Sequence, residues 1–268
     1  MDRPREILVT NDDGHAARGL HVLAQMLRSF GNVTVVAPCE PQSGKSVSLT
    51  LDKPMMIELA AREPADGDLG SLRVYTLGGT PADCAKLGIN MYLHEDRLPD
   101  LLASGINHGS NASSASIYSG TLGAAAEGSL YGIPSLGLSL CTHAKDPDFE
   151  AALFYGRKIV DWVFRDGIGQ GIYLNVNVPA IPMDQIRGIR MARQGAGRWV
   201  REFDHRINLR GKHYFWMMGE FEDREPADAR DADHRLVDSG YVSVVPHRVD
   251  TTDYEELERL RGSWKLDC

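Results

Sequence analysis

Cysteine is scarce in this 268-residue chain: four residues, Cys39, Cys84, Cys141 and Cys268, none at CxxC spacing and none with histidines at finger-type intervals. That excludes a disulfide scaffold and a zinc finger, and makes free thiols in a reducing compartment the expectation. Positive charge is also in deficit, with 29 Lys plus Arg against 37 Asp plus Glu and a formal net charge of −8. An acidic chain without a segregated basic cluster is not expected to hold duplex nucleic acid through its phosphates. No uninterrupted apolar run approaches the ~20 residues of a membrane helix. The start, Met1 to Glu6, leads into an apolar segment too short, and too soon followed by Asn11-Asp12-Asp13, to read as a signal peptide. No membrane partner and a cytoplasmic location are the expectations.

What remains is ordinary globular material, 43% hydrophobic and 25% charged, in one large domain or one domain with an appendage. Short apolar runs alternate with helical patterns through the first half: Ile7 to Val9, Val33 to Ala37, Leu101 to Ala103 and Ser135 to Leu140. Such runs read as strands buried on both faces. Between the first two, Leu20, Leu23, Ala24 and Leu27 recur at helical spacing, closed by Gly31-Asn32 as a stop signal. A second helix is expected after Thr80 as N-cap, with Pro81 at its first position and Asp83 in its first turn. A third begins near Thr121 and a fourth after Asp148. The alternation predicts an α/β fold with a mostly parallel sheet and helices on both faces, three layers in all.

Ile172 to Val178 alternates apolar and polar residues like a half-covered strand, ended by Pro179. From about residue 196 the character changes, so the expected organisation is a core over residues 1–195 and an extension over 196–268 that completes the same domain. Arg198 to Gly219 reads as two strands about a Leu209-Arg210-Gly211-Lys212 turn, a β-hairpin arm carrying Trp199, Phe203, Tyr214, Phe215 and Trp216. Glu220 to Arg235 reads as a charged surface loop. An aromatic hairpin left in water is costly, so it packs either on a second copy of the chain or over its own domain.

In open parallel sheets ligands sit outside the carboxyl ends of the strands. The polar residues following the apolar runs are Thr10 to Gly14, Pro38 to Gly44 and Ser104 to Asn111. Pooled, they offer two carboxylates, hydroxyls and side-chain amides, with Cys39 the one thiol near a strand end. Such an oxygen-dominated set suits a hard cation such as Mg²⁺, Mn²⁺ or Ca²⁺. Asp12-Asp13-Gly14 alone would equally suit an ordinary turn. Ser119-Gly120-Thr121 opens the third helix, and a helix N-terminus is a ready anion site, although Ser119 or Thr121 also serves as a plain cap. Cation and anion cradle on one edge point to a phosphorylated substrate. Gly44-Lys45-Ser46 is not a P-loop, because Cys39 stands where the first glycine is needed. No GxGxxG, GxSxG or HExxH pattern is present, and contiguous aspartates differ from the DxD of aspartyl-nucleophile phosphatases. His15 and His108 flank the edge and are either proton carriers or surface histidines.

Together these residues resemble the SurE (stationary-phase survival protein) family of 5'/3'-nucleotidases. The resemblance rests on ILVTNDDGHAARG from Ile7 to Gly19, VVAPCEPQSGKSVSLT from Val35 to Thr50, GTPADC from Gly79 to Cys84, SGINHGSN from Ser104 to Asn111 and IYSGTLGAA from Ile117 to Ala125. It continues in LNVNVP from Leu174 to Pro179 and DSGYVSVVP from Asp238 to Pro246. It implies a Rossmann-like domain with a protruding C-terminal hairpin used in dimers or tetramers. It also implies one divalent cation per subunit, Mg²⁺, Mn²⁺ or a similar ion, held by Asp12, Asp13, Ser43 and Asn107, with Asp12, Asp13 and Asn107 catalytic in the hydrolysis of nucleoside monophosphates. Asn11, Gly44, Asn111, Ser119, Gly120 and Thr121 are then the candidates for holding the phosphate. Two departures touch loops bordering the substrate pocket: His15-Ala16-Ala17-Arg18 stands where the family usually shows His-Ala-Pro after an aliphatic residue, and Ser114-Ala115 where acidic residues are frequent. A non-catalytic nucleotide-binding module and a metal-dependent glycosyl or nucleotidyl transferase are the rival readings.

Overall fold

The computed structural model describes residues 3–263; Cys268 lies outside them. Thirteen strands and seven helices follow in chain order: β1 (Arg5–Thr10), α1 (Arg18–Leu27), β2 (Gly31–Pro38), β3 (Ile57–Glu63), β4 (Leu72–Leu77), α2 (Pro81–Leu93), β5 (Leu101–His108), α3 (Ala115–Tyr118), α4 (Gly120–Leu130), β6 (Ser135–Cys141), α5 (Glu150–Asp166), β7 (Ile172–Pro179), β8 (Ile189–Met191), β9 (Arg198–Val200), β10 (Phe203–Ile207), β11 (His213–Met217), β12 (Glu220–Glu222), α6 (Asp233–Asp238), β13 (Val242–Arg248) and α7 (Tyr254–Ser263).

Nine strands form one sheet in the order β3-β4-β2-β1-β5-β6-β7-β13-β8. From β4 to β7 every pairing is parallel, while β3 and β13 run antiparallel to their neighbours β4 and β7. The mostly parallel three-layer fold read from the alternation is therefore the fold observed. Each central strand is apolar on both sides because each is covered on both sides. Ile7 and Val9 pack with α1 and α5 in one core, and Leu8, between them, packs with α2 and α4 in the other. The α1 stripe Leu20, Leu23 and Leu27 is completely buried, each side chain contributing about 1.5–3 kcal/mol of burial. Thr80 and Asp83 form the capping box expected at the start of α2, with Pro81 inside it.

Three expectations need correction. The Gly31-Asn32 pair opens β2 rather than closing α1, which ends at Leu27. The Ile172–Val178 alternation does not mark a half-covered strand: Asn175 and Asn177 are fully buried, so its polar side chains face protein and not water. The arm is a longer ladder than two strands. β10 pairs with β11, and beyond the break at Arg201 (φ 53°) β9 pairs with β12. The segment read as a loop over 220–235 thus holds β12 and the start of α6. The aromatic face of β10 and β11 is left open in the single chain. Phe203 is 64% exposed and Trp216 59%.

The position of the site follows from the strand order. β2 and β4 lie to one side of β1, and β5, β6 and β7 to the other. The direction of winding thus reverses between β1 and β5, opening a crevice outside their carboxyl ends.

Candidate active site

β1 ends at Thr10, and Asn11 to Gly14 turn across the crevice. Asn11 is completely buried and its Nδ2 donates to the Gly14 carbonyl at 3.0 Å, bracing the turn. Gly14 holds φ +92°, and a Cβ there would stand 3.3 Å from the Glu40 backbone. Only glycine closes this turn without strain. Asp12 and Asp13 are presented between these two anchors.

The other segments reach the same point. From the loop after β2, the Gln42 N–H donates to the Asp12 carbonyl at 2.7 Å, which sets Ser43 one residue from the Asp12 backbone. The continuation of that loop is fastened at both sides: Thr80 Oγ1 donates to the Ser48 carbonyl at 2.6 Å, the Thr50 N–H donates to Asp83, and the Ser46 N–H donates to the Tyr118 carbonyl at 3.1 Å. From β5, the His108 N–H donates to Asp13 Oδ2 at 3.1 Å. Asn107 Nδ2 donates to the Gly109 carbonyl at 2.9 Å, which leaves Asn107 Oδ1 as the atom open to a ligand. From α4, Thr121 Oγ1 donates to Asp12 Oδ1. Gly120 lies so close that a Cβ on it would come within 2.8 Å of Asp12 Cβ.

Thr121 is thus placed differently from the expectation that it touches phosphate. Its side chain is fully buried and its hydroxyl is committed to Asp12. Ser119 caps α4, accepting from the Leu122 N–H at 3.1 Å, and its own proton remains available. Gly44 is exposed with φ +74° and nothing packed where a Cβ would be, so the backbone there is open to a ligand.

Asn111 is held on three sides. Its N–H donates to Asn177 Oδ1 at 2.8 Å, its carbonyl accepts from Asn175 Nδ2 at 2.9 Å, and its Nδ2 donates to Ser139 Oγ at 2.9 Å. Asn177 in turn donates to Asn175 Oδ1 at 2.9 Å. Buried amides of this kind are costly unless fully paired, and here they pair with one another and with the loop that follows β5. Sequence reasoning missed Asn175, Asn177 and Ser139. The signal was present in the LNVNVP alternation, which looks the same whether a strand faces water or a buried polar network.

The two aspartates are electrostatically unsettled. Burial pushes the Asp12 carboxyl up to about 6, with the charge of Asp13 adding to the rise and the Thr121 hydroxyl opposing it. Burial also raises Asp13, opposed by the His108 N–H. Among the described residues no lysine or arginine forms an ion pair with either. Two neighbouring carboxylates taken out of water without a cation are unfavourable, and a bound cation removes the penalty. The donor chemistry fits a hard one. No cluster of three or more His, Cys, Asp or Glu suited to a metal occurs among the described residues. Beside the two aspartates the three segments offer neutral oxygens, those of Ser43 and Asn107 among them. His108 is exposed and His15 has a buried Nδ1 without a partner.

The chain is similar to known proteins along nearly its whole length. The profile of the family described as survival protein SurE matches residues 7–201. A 5'-nucleotidase SurE of Phocaeicola vulgatus is 42% identical over 261 residues, 97% of each chain. One of Cytophaga hutchinsonii is 40% identical over 266 residues, 99% of each. The crystal structure of the SurE protein from Aquifex aeolicus superposes with a TM-score of 0.78 at 36% identity, covering 96% of this chain and 99% of that one.

Proposed function

The chain belongs to the survival protein SurE family, and from that premise we propose that the crevice outside β1 and β5 holds one divalent cation, Mg²⁺ or Mn²⁺, through Asp12, Asp13, Ser43 and Asn107. The protein is a hydrolase, a 5'-nucleotidase, the name its relatives carry, and in this reading it releases phosphate from nucleoside monophosphates with the help of that cation. Nucleoside 3'-monophosphates are a second substrate class in this reading. The observation that carries the assignment is the pair of desolvated carboxylates at the point where the winding reverses, lacking any lysine or arginine partner among the described residues and facing a helix N-terminus.

A divalent cation bound there supplies polarisation of a phosphoryl oxygen and offsets the repulsion between an acidic protein and a dianionic substrate. Asp12 and Asp13 provide the negative donors; the Ser43 hydroxyl and the Asn107 amide oxygen complete the protein's share. Thr121 fixes the Asp12 carboxylate in place, and outer partners of this kind decide how well a donor is aimed. The first turn of α4 brings the Gly120 N–H to the crevice, where with the Ser119 proton and the Gly44 backbone it holds the phosphate oxygens. Asn11 keeps the aspartate turn closed, and Asn111 is set by its three partners on the other rim. Asp13 and the exposed His108 are the groups available to move a proton.

Further parts of the reading concern the molecule as a whole. Cys39, Cys84 and Cys141 are free thiols, which supports a cytoplasmic setting. The exposed aromatic arm over residues 198–219 supports association of two or four copies. The strand β13 returns from the 196–268 extension to pair with β7, which supports a single domain.

The test is phosphate release from a panel of nucleoside monophosphates with Mn²⁺. Asp12→Ala and Asp13→Asn are expected to abolish release while retaining the far-ultraviolet dichroism of the native fold. Undiminished release in EDTA would contradict the assignment.

A further inference from the structure

A cavity of about 280 Å³ opens directly beside Asp13. Asp13 and His108 line the side toward the site, Ile106 and Phe149 are its buried apolar surfaces, and Arg18 and Lys145 stand exposed around it. Pockets for drug-sized ligands begin at roughly 300 Å³, so this space suits one flat ring and not a second nucleotide. Its charges balance: Arg18 and Lys145 against Asp13 and Asp146. A second phosphate has no net attraction to it, whereas a neutral ring has apolar surface to cover.

Arg18 ends the His15-Ala16-Ala17-Arg18 stretch that departs from the family pattern, and the structure gives it a position that matters. It is the first residue of α1, its guanidinium carbon lies 5.7 Å from the centre of the Phe149 ring, and Nη1 donates to Asp146 Oδ1 at 2.5 Å. The two side chains of this pair are 60% and 82% exposed. An ion pair so exposed is weak, so a ligand can replace Asp146 as the partner of the guanidinium. A planar guanidinium stacks on aromatic faces and donates hydrogen bonds to ring acceptors.

We propose that this cavity seats the base of the nucleoside monophosphate and that Arg18, released from Asp146, is the residue that recognises it. The proposal rests on the nucleotidase reading above and adds where the nucleoside lies and which side chain of this chain distinguishes it. Lys145, next to Asp146 in the loop after β6, also lines the cavity.

The experiment uses the full chain with Mn²⁺ and two substrates, adenosine 5'-monophosphate and ribose 5-phosphate, which differ only in the base. Arg18→Pro is a well-tolerated variant, since proline suits a first helical position; Arg18→Ala controls for any backbone effect. In both, the ratio of kcat/KM for the nucleotide to kcat/KM for the sugar phosphate is expected to fall about tenfold, the scale of a single cation–π contact. Calorimetric binding of the nucleotide is expected to weaken by the same factor, with binding of the sugar phosphate changing by less than about twofold. An unchanged ratio together with unchanged relative affinities would overturn the seat while leaving hydrolysis intact. Weakened nucleotide binding in the variants of a protein that turns over neither substrate would uphold the seat and overturn the hydrolase reading.

Discussion

Replacing Thr121 by Val removes one hydroxyl and almost no volume, and the structure predicts what that hydroxyl is worth. It donates to Asp12 Oδ1 from a completely buried position on α4, where no water can take its place. A hydrogen bond to a charged group contributes about 1.5–3 kcal/mol, so well above pH 6, where Asp12 is ionised, the metal-free variant loses that much. At about 2–4 °C per kcal/mol for a chain of this size, its melting temperature falls by roughly 3–12 °C. The same donor aims the carboxylate at the cation. Losing an outer partner of a metal ligand costs about 10- to 100-fold in metal affinity, so the Kd for Mn²⁺ measured by titration calorimetry rises within that range. Phosphate release at limiting Mn²⁺ falls in proportion and is partly recovered at saturating Mn²⁺. A variant with native Mn²⁺ affinity and native activity would refute the role given to Thr121, and a loss not recovered by excess cation would place the defect elsewhere.

Ser139→Ala removes the one side-chain link between β6 and the Asn111 amide; it is expected to lower kcat/KM about fivefold, the scale of one neutral hydrogen bond. In an Asn111→Ala background the same change is expected to add nothing, and additive losses would show that Ser139 does not act through Asn111. A chain lacking residues 198–222, with the ends rejoined through a short glycine linker, is expected to fold and to sediment as a monomer where the full chain sediments as a dimer or tetramer; an unchanged mass would remove the arm from assembly. Glu225 is held down to about 2 by its hydrogen bonds with Arg193 and the Ala196 N–H. A carboxyl with a lowered pKa adds stability above its ordinary range and loses it as the pH falls. The melting-temperature gap between the native chain and Glu225→Gln is therefore expected to be full above pH 5 and to close as the pH falls from about 4.5 to 2; a gap independent of pH would show that the carboxylate's charge plays no part at the root of the arm.

The central sheet was legible because strands buried on both faces are apolar without interruption, and Ile7 to Val9 and Val33 to Ala37 could hardly be anything else. The start of α2 was legible residue by residue, since Thr80, Pro81 and Asp83 each fill a position with its own chemical requirement. β3 was not. Six of its seven residues are exposed, and an exposed edge strand has no apolar period to betray it. The pooled strand ends brought Thr10 to Gly14, Pro38 to Gly44 and Ser104 to Asn111 to one edge, because the connectivity of a parallel sheet dictates which ends lie together, while the choice of Asp12, Asp13, Ser43 and Asn107 among them rests on the family resemblance. Thr121 shows where that reasoning stops. A threonine at a helix start reads as a cap or an anion binder, and nothing local reveals that it faces a carboxylate 109 positions away in sequence. Asn175 and Asn177 fail for the same reason: their partner is Asn111, distant along the chain and adjacent in space.

Whether one cation joins the four oxygen donors is decided most directly by anomalous diffraction at the manganese edge from crystals grown with Mn²⁺. A single strong peak per subunit is expected within about 2.0–2.6 Å of oxygen atoms from Asp12, Asp13, Ser43 and Asn107. A peak elsewhere, or a strong peak lacking either the serine or the asparagine among its neighbours, would contradict that expectation.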